Sequence, residues 1–405
     1  MGNNLLTKKL NDIVALYKAE QKYGELKFYS GNYAEQTVKI LTEVCPCGKI
    51  ATLYFNSTYQ NFGREFSLVL KNAGFKPLSI IMPEDFSNSV EDYSRLFTLP
   101  DDIRCIITFD FSLNQSIKYY GAIKSIDTIH ILTDFTSAEF LSPTSFVKNG
   151  AQFDRINLNC NQHIVIDDSI IKPDLPKIFA YTASKIINLI DYKIYVKLHS
   201  KRHLKSPYEL LSASIDNTLT CFNVSIDSRK NYILENLFLA EISNRISDGI
   251  FWTISSENSV ERLMPRFEGY DRIAFLRYTL GLYKKYFSGE YDHLLEIADY
   301  NTRVDSISKI INADEKKLMQ DLLAQLENYN IQKDNLAKIK NTLLEQVVKT
   351  EKLIGQINST YHALGGGGKE NKDLRNCIYH SGDLNSTLNG MSLVRENGIL
   401  EFIEV

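Results

Sequence analysis

Short runs of β-branched and apolar residues alternate with stretches of helical hydrophobic spacing between about residue 26 and residue 170. A strand pattern that changes to a helix pattern and back again is typical of βαβ units, which build a mainly parallel sheet. The segments predicted as strands are residues 49–55, 76–82, 104–109, 128–132 and 163–166. Residues 61–73 and 112–123 are predicted to form helices between them.

The pattern becomes helical throughout after residue 172. Helices are predicted over residues 178–196, 208–219, 232–254 and 273–287, and residues 313–361 are predicted to form two helices broken near 328–330. Residues 4–22 have the spacing of an amphipathic helix at the N-terminus. We therefore expect an α/β domain with a mainly parallel sheet over residues 1–172 and an all-α domain over residues 173–405.

Composition restricts the range of functions. The chain has 405 residues, 44% hydrophobic and 23% charged, and a formal net charge of −3, which provides no basic field for nucleic acid. No run of apolar residues is long enough to span a membrane. Six cysteines scattered through a chain of this length favour a reducing, cytoplasmic compartment.

Four segments together resemble a known family. Residues 131–150 (ILTDFTSAEFLSPTSFVKNG) and 181–192 (YTASKIINLIDY) are followed by residues 206–214 (SPYELLSAS) and 374–388 (LRNCIYHSGDLNSTL). In order and spacing they resemble the glycerol-1-phosphate dehydrogenases, within the dehydroquinate-synthase-like and iron-containing alcohol dehydrogenases. The resemblance implies a Rossmann-like nucleotide-binding domain, a helical domain, an active site in the cleft between them, NAD(P), zinc or iron, and a homodimer.

The stretch that matches the family's glycine turn contains no glycine. Residues 109–118 read FDFSLNQSIK, and only Lys118 matches the family pattern. A glycine turn lets the backbone approach the pyrophosphate closely, whereas two phenylalanines would obstruct it and a carboxylate would repel it. A family aspartate corresponds to Ala138. The cofactor positions implied by the resemblance are therefore expected not to function: Phe109, Asp110, Phe111, Gln115 and Ala138.

The metal positions also depart from the family, which uses one aspartate and two histidines. The resemblance places Tyr181, Arg262 and Glu268 there. Arginine is permanently cationic and has no lone pair to donate, so this set is not expected to bind zinc or iron. One alternative is that Arg262 and Arg266 replace the charge of the metal and hold a phosphorylated or carboxylated ligand. The other is that charges over residues 261–272 form a salt-bridged helix surface.

Other polar groups have both a structural and a functional interpretation. His199 and His203 are four residues apart, a spacing that can bind a metal on one helix face. The surrounding segment KLHSKRHLK is rich in positive charge, which disfavours a metal cation. It favours a solvated helix end or, as the alternative, a weak anion site. The Cys45–Cys47 pair predicts a tight turn or, as the alternative, redox sensitivity. His380 has Asp383 three residues after it. We interpret it as a structural histidine, and an acid–base pair is the alternative. Residues 365–368, four glycines without the context of a phosphate-binding loop, predict a surface loop.

Three functional hypotheses remain. The preferred one is a divergent protein degenerate at its metal and NAD(P) sites, which binds a small phosphorylated molecule or a protein partner and has no enzymatic activity. The second is an active NAD(P)-dependent oxidoreductase acting on a polyol phosphate or ketone phosphate, with zinc or iron. The third is a metal-free enzyme, with Lys118, Lys185 and Tyr181 as catalytic candidates and Arg262 or Glu268 as further ones.

Overall fold

The structure, a computed structural model, describes residues 2–17, 23–46, 48–86, 89–149, 152–199, 201, 203–222, 230–264, 267–289, 300–311, 315–384 and 389–396. It divides into two compact units. The first comprises Met1–Asn149, Asp154–Asp174 and Arg229–Asp248, and the second comprises Gly150–Phe153, Leu175–Ser228 and Gly249–Val405. The sequence-based division at residue 172 assigns residues 229–248 to the helical domain, whereas the structure groups them with the sheet.

The first unit is built on a six-stranded sheet in which every pair of neighbours is parallel. Its strands are β1 (Leu26–Ser30), β2 (Lys49–Tyr54), β3 (Lys76–Ile81), β4 (Ile103–Thr108), β5 (Asp127–Ile131) and β9 (Gln162–Ile166), in the order β1-β9-β5-β4-β2-β3. Two smaller sheets pair β6 (Asp134–Phe135) with β10 (Lys172–Pro173), and β7 (Thr144–Asn149) with β8 (Gln152–Asn157). The parallel sheet is confirmed, and β1 is a strand that the sequence pattern did not predict.

Helices surround the sheet in the first unit and make up most of the second. In chain order they are α1 (Gly2–Leu16), α2 (Tyr33–Val44), α3 (Asn56–Thr58), α4 (Arg64–Asn72), α5 (Val90–Leu96), α6 (Asn114–Lys124), α7 (Leu175–Leu198), α8 (Lys205–Cys221), α9 (Lys230–Ile246), α10 (Ile250–Thr253), α11 (Ser256–Leu263), α12 (Tyr270–Ser288), α13 (Tyr300–Ile311), α14 (Glu315–Glu351), α15 (Ile354–Ala363), α16 (Leu374–Ser381) and α17 (Gly390–Glu396). None of the described helices is long and apolar enough to cross a bilayer.

Apolar residues of the central strands are buried on both faces, as a parallel sheet covered by helices requires. One cluster joins Ile50, Cys105 and Ile129 to the rings of Phe66 and Phe109. A second cluster, on the opposite strand positions, contains Ala51, Leu53 and Ile106 among its members. Alternate residues of β2 and β4 thus serve different clusters, which accounts for the continuous apolar runs in these strands.

Local signals explain several helix starts. Asn32 accepts hydrogen bonds from Ala34 N and Glu35 N at 3.0 and 3.2 Å and so begins α2. Ser89 and Asp92 form a reciprocal capping box at the start of α5. These short polar side chains satisfy amide groups that have no partner within the helix.

Three helix predictions need correction. The predicted helix over residues 232–254 ends as α9 at Ile246, because Asp248 and Gly249 adopt positive φ of 57° and 77°. The break predicted near 328–330 is wrong, since α14 is continuous and the interruption comes at Leu353. The predicted N-terminal helix over residues 4–22 begins at Gly2 and ends at Leu16, and its residues 18–22 lie outside the described residues.

Candidate functional site

Residues 109–113 form the turn after β4, at the start of the segment that the sequence resemblance sets against a glycine turn. Phe109 is fully buried, and its ring centroid lies 5.0 Å from that of Phe66, 5.4 Å from Phe62 and 5.5 Å from Tyr33. Its side chain therefore belongs to the core of the first unit. Phe111 is half-buried and packs edge-on against Phe140 at 6.1 Å.

Asp110 uses its carboxylate to join the ends of two neighbouring strands. Its oxygens accept hydrogen bonds from Phe55 N at 2.9 Å and Thr58 Oγ1 at 2.5 Å, and its own amide donates to Thr108 Oγ1 at 3.0 Å. Burial raises the pKa of Asp110, while the bonds from Thr58 and Phe55 act against that rise. A carboxylate thus lies where the carboxyl ends of β2 and β4 meet, the edge at which α/β sheets bind ligands.

Lys118 is a buried cation that binds the backbone. Its Nζ donates to Thr144 O at 2.8 Å, to Ser142 O at 3.1 Å and to Glu139 O at 3.4 Å. The side chain is 1% exposed, and burial lowers its pKa to about 7. Lys118, a catalytic candidate in the sequence, is thus surrounded by three backbone carbonyl oxygens that accept its hydrogen bonds.

The segment that contains Ala138 is held by further side chains. Ala138 is fully buried, and Gln162 Nε2 donates to Phe140 O at 3.2 Å. Arg245, on α9, donates to Leu141 O at 3.4 Å and to Gln162 Oε1 at 3.0 Å. Gln115, the remaining predicted cofactor position, is half-buried in the first turn of α6. Arg245 was missed by the sequence analysis, because no local pattern links it to a segment about a hundred residues earlier.

In the second unit, Tyr181 lies beneath two cations. Lys185 Nζ is 4.2 Å from the centroid of the Tyr181 ring and 4.6 Å from that of Trp252. The guanidinium carbon of Arg272 is 5.0 Å from the Tyr181 ring and 4.7 Å from the Phe267 ring. Aromatic faces attract such cations through their negative quadrupole.

Two glutamates of α11 balance these cations. Lys185 Nζ lies 3.0 Å from Glu257 Oε2, and Arg272 contacts both Glu257 and Glu261, the latter at 2.7 Å. Ser184 Oγ donates to Glu257 as well. Lys185, Glu257 and Arg272 are all buried, so the network is largely removed from water. We call Tyr181, Lys185, Glu257, Glu261 and Arg272 the ionic cluster.

Contacts of α7 fix the start of α11 and thereby the ionic cluster. Ser255 caps α11 by accepting from Glu257 N at 3.0 Å, and Ser256 N donates to Asp191 Oδ2 at 2.7 Å. Asp191 also accepts from Tyr283 OH at 2.7 Å and Gly390 N at 2.9 Å. Burial raises the pKa of Asp191 to about 6, against the effect of these bonds. A carboxylate at the positive end of a short helix sets its position, and with it that of Glu257.

The donor set of the ionic cluster does not suit zinc or iron. A metal there would face the ammonium of Lys185 and the guanidinium of Arg272, which are cations of the same sign, and both carboxylates already bind them. Across the described residues, no three histidine, cysteine, aspartate or glutamate side chains converge as a metal site would require. The residues present therefore do not fit the metal that the fold implies.

The other two positions that the sequence resemblance implies for the metal make separate contacts. Arg262 donates to Leu384 O at 3.1 Å, and Glu268 pairs with Lys177 at 3.0 Å on the exposed surface. Arg266, predicted with Arg262 to bind an anion, lies outside the described residues. The described charged residues of 261–272 thus include members of a buried ion-pair network and of an exposed pair.

The remaining candidates occupy varied surroundings. His203 packs against the rings of both Tyr192 and Tyr208, while His199 packs against Tyr195. His380 Nδ1 is 4.0 Å from Asp383, and burial lowers the pKa of His380 to about 4. Of the cysteine pair, Cys45 is a buried thiol, and Cys47 lies outside the described residues. Residues 365–368 form a loop after α15.

The fold is that of the iron-containing alcohol dehydrogenases and dehydroquinate-synthase-like proteins, a parallel-sheet α/β domain with a helical domain. Glycerol dehydrogenase from Schizosaccharomyces pombe matches at TM-score 0.50 and 12% identity, over 86% of this chain and 94% of its own. The iron-containing alcohol dehydrogenase of Thermotoga maritima matches at 0.51 and 9%, over 93% and 98%. Maleylacetate reductase from a Rhizobium species matches at 0.51 and 7%, over 93% and 95%. No family model and no curated protein matches the sequence.

Proposed function

We propose that this protein is a divergent, non-catalytic relative of the glycerol-1-phosphate dehydrogenases that binds a ligand or a protein partner without transferring hydride. The observation that carries this proposal is the ionic cluster at Tyr181. The family's metal-binding aspartate corresponds to a tyrosine whose ring faces Lys185 and Arg272. Two fixed cations disfavour a divalent metal at that point, and the family's reaction depends on such a metal.

The turn after β4 supports the same proposal for the cofactor. The carboxylate of Asp110 lies at the strand edge where a dinucleotide would place its pyrophosphate, and it is held there by Phe55 N and Thr58. An anion beside an anion is disfavoured in a partly buried site. The backbone of this turn also carries side chains where close approach to phosphate requires glycine.

Structural roles for the three catalytic candidates follow from their contacts. Lys118 donates to three carbonyl oxygens, Lys185 is ion-paired to Glu257, and Tyr181 packs beneath two cations. Each side chain is thereby used to stabilise its surroundings. A reducing, cytoplasmic location is part of the proposal, supported by the five described cysteines, which are all buried thiols. A homodimer is proposed from the family resemblance alone.

Metal analysis and ligand binding on the same protein preparation test the proposal. We expect substoichiometric zinc and iron after purification without chelator, and no shift in melting temperature with NAD(H) or NADP(H). A glycerol dehydrogenase of this fold, prepared in parallel, serves as the positive control. Stoichiometric zinc or iron, or a saturable shift with a nicotinamide nucleotide, would establish the active oxidoreductase instead.

A further inference from the structure

A cavity of about 560 Å³ lies between two helices of the second unit. One wall is the last two turns of α7, and the other is the C-terminal part of α14. On each helix the lining positions repeat at intervals of three or four, so they share one face. The lining residues are Lys193, Val196, Lys197, His203, Thr342, Leu343, Glu345, Gln346 and Lys349.

Positive charge dominates this lining, which has three lysines and one glutamate. Burial, followed by the charges of Lys197 and Lys349, lowers the pKa of Lys193. Lys193 is thus close enough to Lys197 and to Lys349 to be repelled by both. Within the described part of the chain, none of the three forms an ion pair with a carboxylate.

Ordinary structural roles explain only part of this arrangement. A lysine in the last turn of α7 stabilises the negative end of the helix dipole, which accounts for Lys197. A solvated helix face explains exposed charged residues that lie in a row along one helix. Lys349 lies in the last turn of α14, where the same dipole effect applies, but a helix dipole does not require the ends of two helices to bring both lysines to one cavity. Glu345 lies in the lining and Asp216 interacts electrostatically with Lys349, and against these carboxylates the three lysines leave positive charge that a bound anion would neutralise.

The rest of the lining suits a small polar molecule. Thr342 and Gln346 offer neutral hydrogen-bond donors, and Val196 and Leu343 provide apolar surface. His203 also lines the cavity, and its ring packs against Tyr208 at 5.1 Å between centroids. The volume lies within the range typical of small-molecule sites, and the concave shape favours a small molecule over a protein surface.

We propose that this cavity, between α7 and α14, binds a small molecule that carries one or more phosphate groups. Lys197 and Lys349 contact the phosphate from opposite walls, and Lys193 contributes from the base of the α7 wall. Gln346 and Thr342 orient the rest of the molecule. This site stands apart from the ionic cluster and from the turn after β4, so it does not depend on the proposed loss of catalysis.

Calorimetric titration of the full chain with inorganic pyrophosphate and with a hexose monophosphate, at constant ionic strength, tests the proposal. We expect saturable binding of at least one of the two. Lys197→Gln and Lys349→Gln should each weaken it about tenfold, because each removes a charge-assisted hydrogen bond. Lys352→Gln is the matched control, since Lys352 is exposed, close to Lys349 in sequence and not part of the lining.

Melting temperatures of the variants close to that of the wild type establish that folding is intact. Three results would overturn the proposal: no saturable binding of either phosphate compound to the wild type, equal weakening by Lys352→Gln, or tighter binding of an oligoglutamate peptide than of pyrophosphate. The second result would indicate a diffuse basic surface, and the third an acidic protein partner.

Discussion

Lys185 and Lys177 lie about two turns apart on α7, and each pairs with a glutamate at 3.0 Å. Their surroundings differ, because the Lys185–Glu257 pair is buried and the Lys177–Glu268 pair is exposed. Because the two lysine–glutamate pairs differ in burial, comparing them measures how much the buried pair of the ionic cluster contributes to the free energy of unfolding.

Lys185→Met should lower the free energy of unfolding by about 3 kcal/mol, because it leaves the buried carboxylate of Glu257 with one cation fewer. Lys177→Met, the matched control, should lower it by no more than about 0.5 kcal/mol, since exposed pairs contribute little. Urea unfolding monitored by circular dichroism gives both values. If both variants lose the same free energy of unfolding, the buried pair contributes no more to stability than the exposed pair.

A second prediction at this scale concerns pH. Burial lowers the pKa of His130 from 6.5 to about 3, and its Nδ1 lies 3.0 Å from Asn114 Nδ2. Below pH 6.5 the unfolded chain takes up a proton at this residue and the folded chain does not. The free energy of unfolding therefore decreases as the pH falls from 6.5 towards 3.

Between pH 7 and pH 5 this histidine should lower the free energy of unfolding by about 2 kcal/mol. His130→Asn removes the titrating group, so its stability should fall less over the same interval. Urea midpoints of the wild type and the variant at the two pH values provide the measurement. The prediction fails if both proteins lose the same stability on acidification.

At the scale of elements, local patterns predicted five strands of the six-stranded sheet, including the edge strand β3, but not the other edge strand, β1. Strands β2 to β5 and β9 were predicted because each is a short apolar run between turn signals. β1 was missed because its five residues, LKFYS, mix exposed and buried positions. Its position as a strand depends on pairing with β9, more than a hundred residues later, and no local pattern records that pairing.

Helix boundaries were harder to predict where tertiary packing overrides propensity. The Asn-rich stretch at residues 328–330 suggested a break because asparagine is a weak helix former. Leu322 before it and Leu343 and Val347 after it are buried, so packing on both sides supports one continuous helix. In the opposite case, α9 ends where Asp248 and Gly249 turn the chain, although the apolar spacing continues.

For the candidate site, the sequence indicated which residues differ from the family motifs. It did not indicate which side chains surround those residues. Tyr181 was recognised as a departure from resemblance alone. Arg272, which faces its ring, and Trp252 and Glu257, which contact the neighbouring Lys185, come from three other helices, and sequence spacing cannot predict which side chains meet. Asp110 was expected to repel phosphate, whereas its bonds to Phe55 N and Thr58 depend on the pairing of β2 with β4.

At the scale of the whole molecule, α9 belongs with a sheet that precedes it by about sixty residues or more. Phe238 packs against Phe28 and Phe140, at 6.0 and 5.6 Å between ring centroids. Arg245 donates to Gly24 O and Leu141 O. Because these contacts fill part of the core of the first unit, the boundary suggested at residue 172 should not define a folding unit.

A fragment of residues 1–172 should therefore show no cooperative thermal transition by circular dichroism. Residues 1–174 joined through a flexible glycine–serine linker to residues 229–248 should regain one, because α9 restores the missing apolar and hydrogen-bonding contacts. The matched control carries the same linker and a scrambled 229–248 sequence, which keeps composition and length. Cooperative unfolding of residues 1–172 alone, or of the scrambled fragment, would show that α9 contributes no specific contacts to the sheet unit.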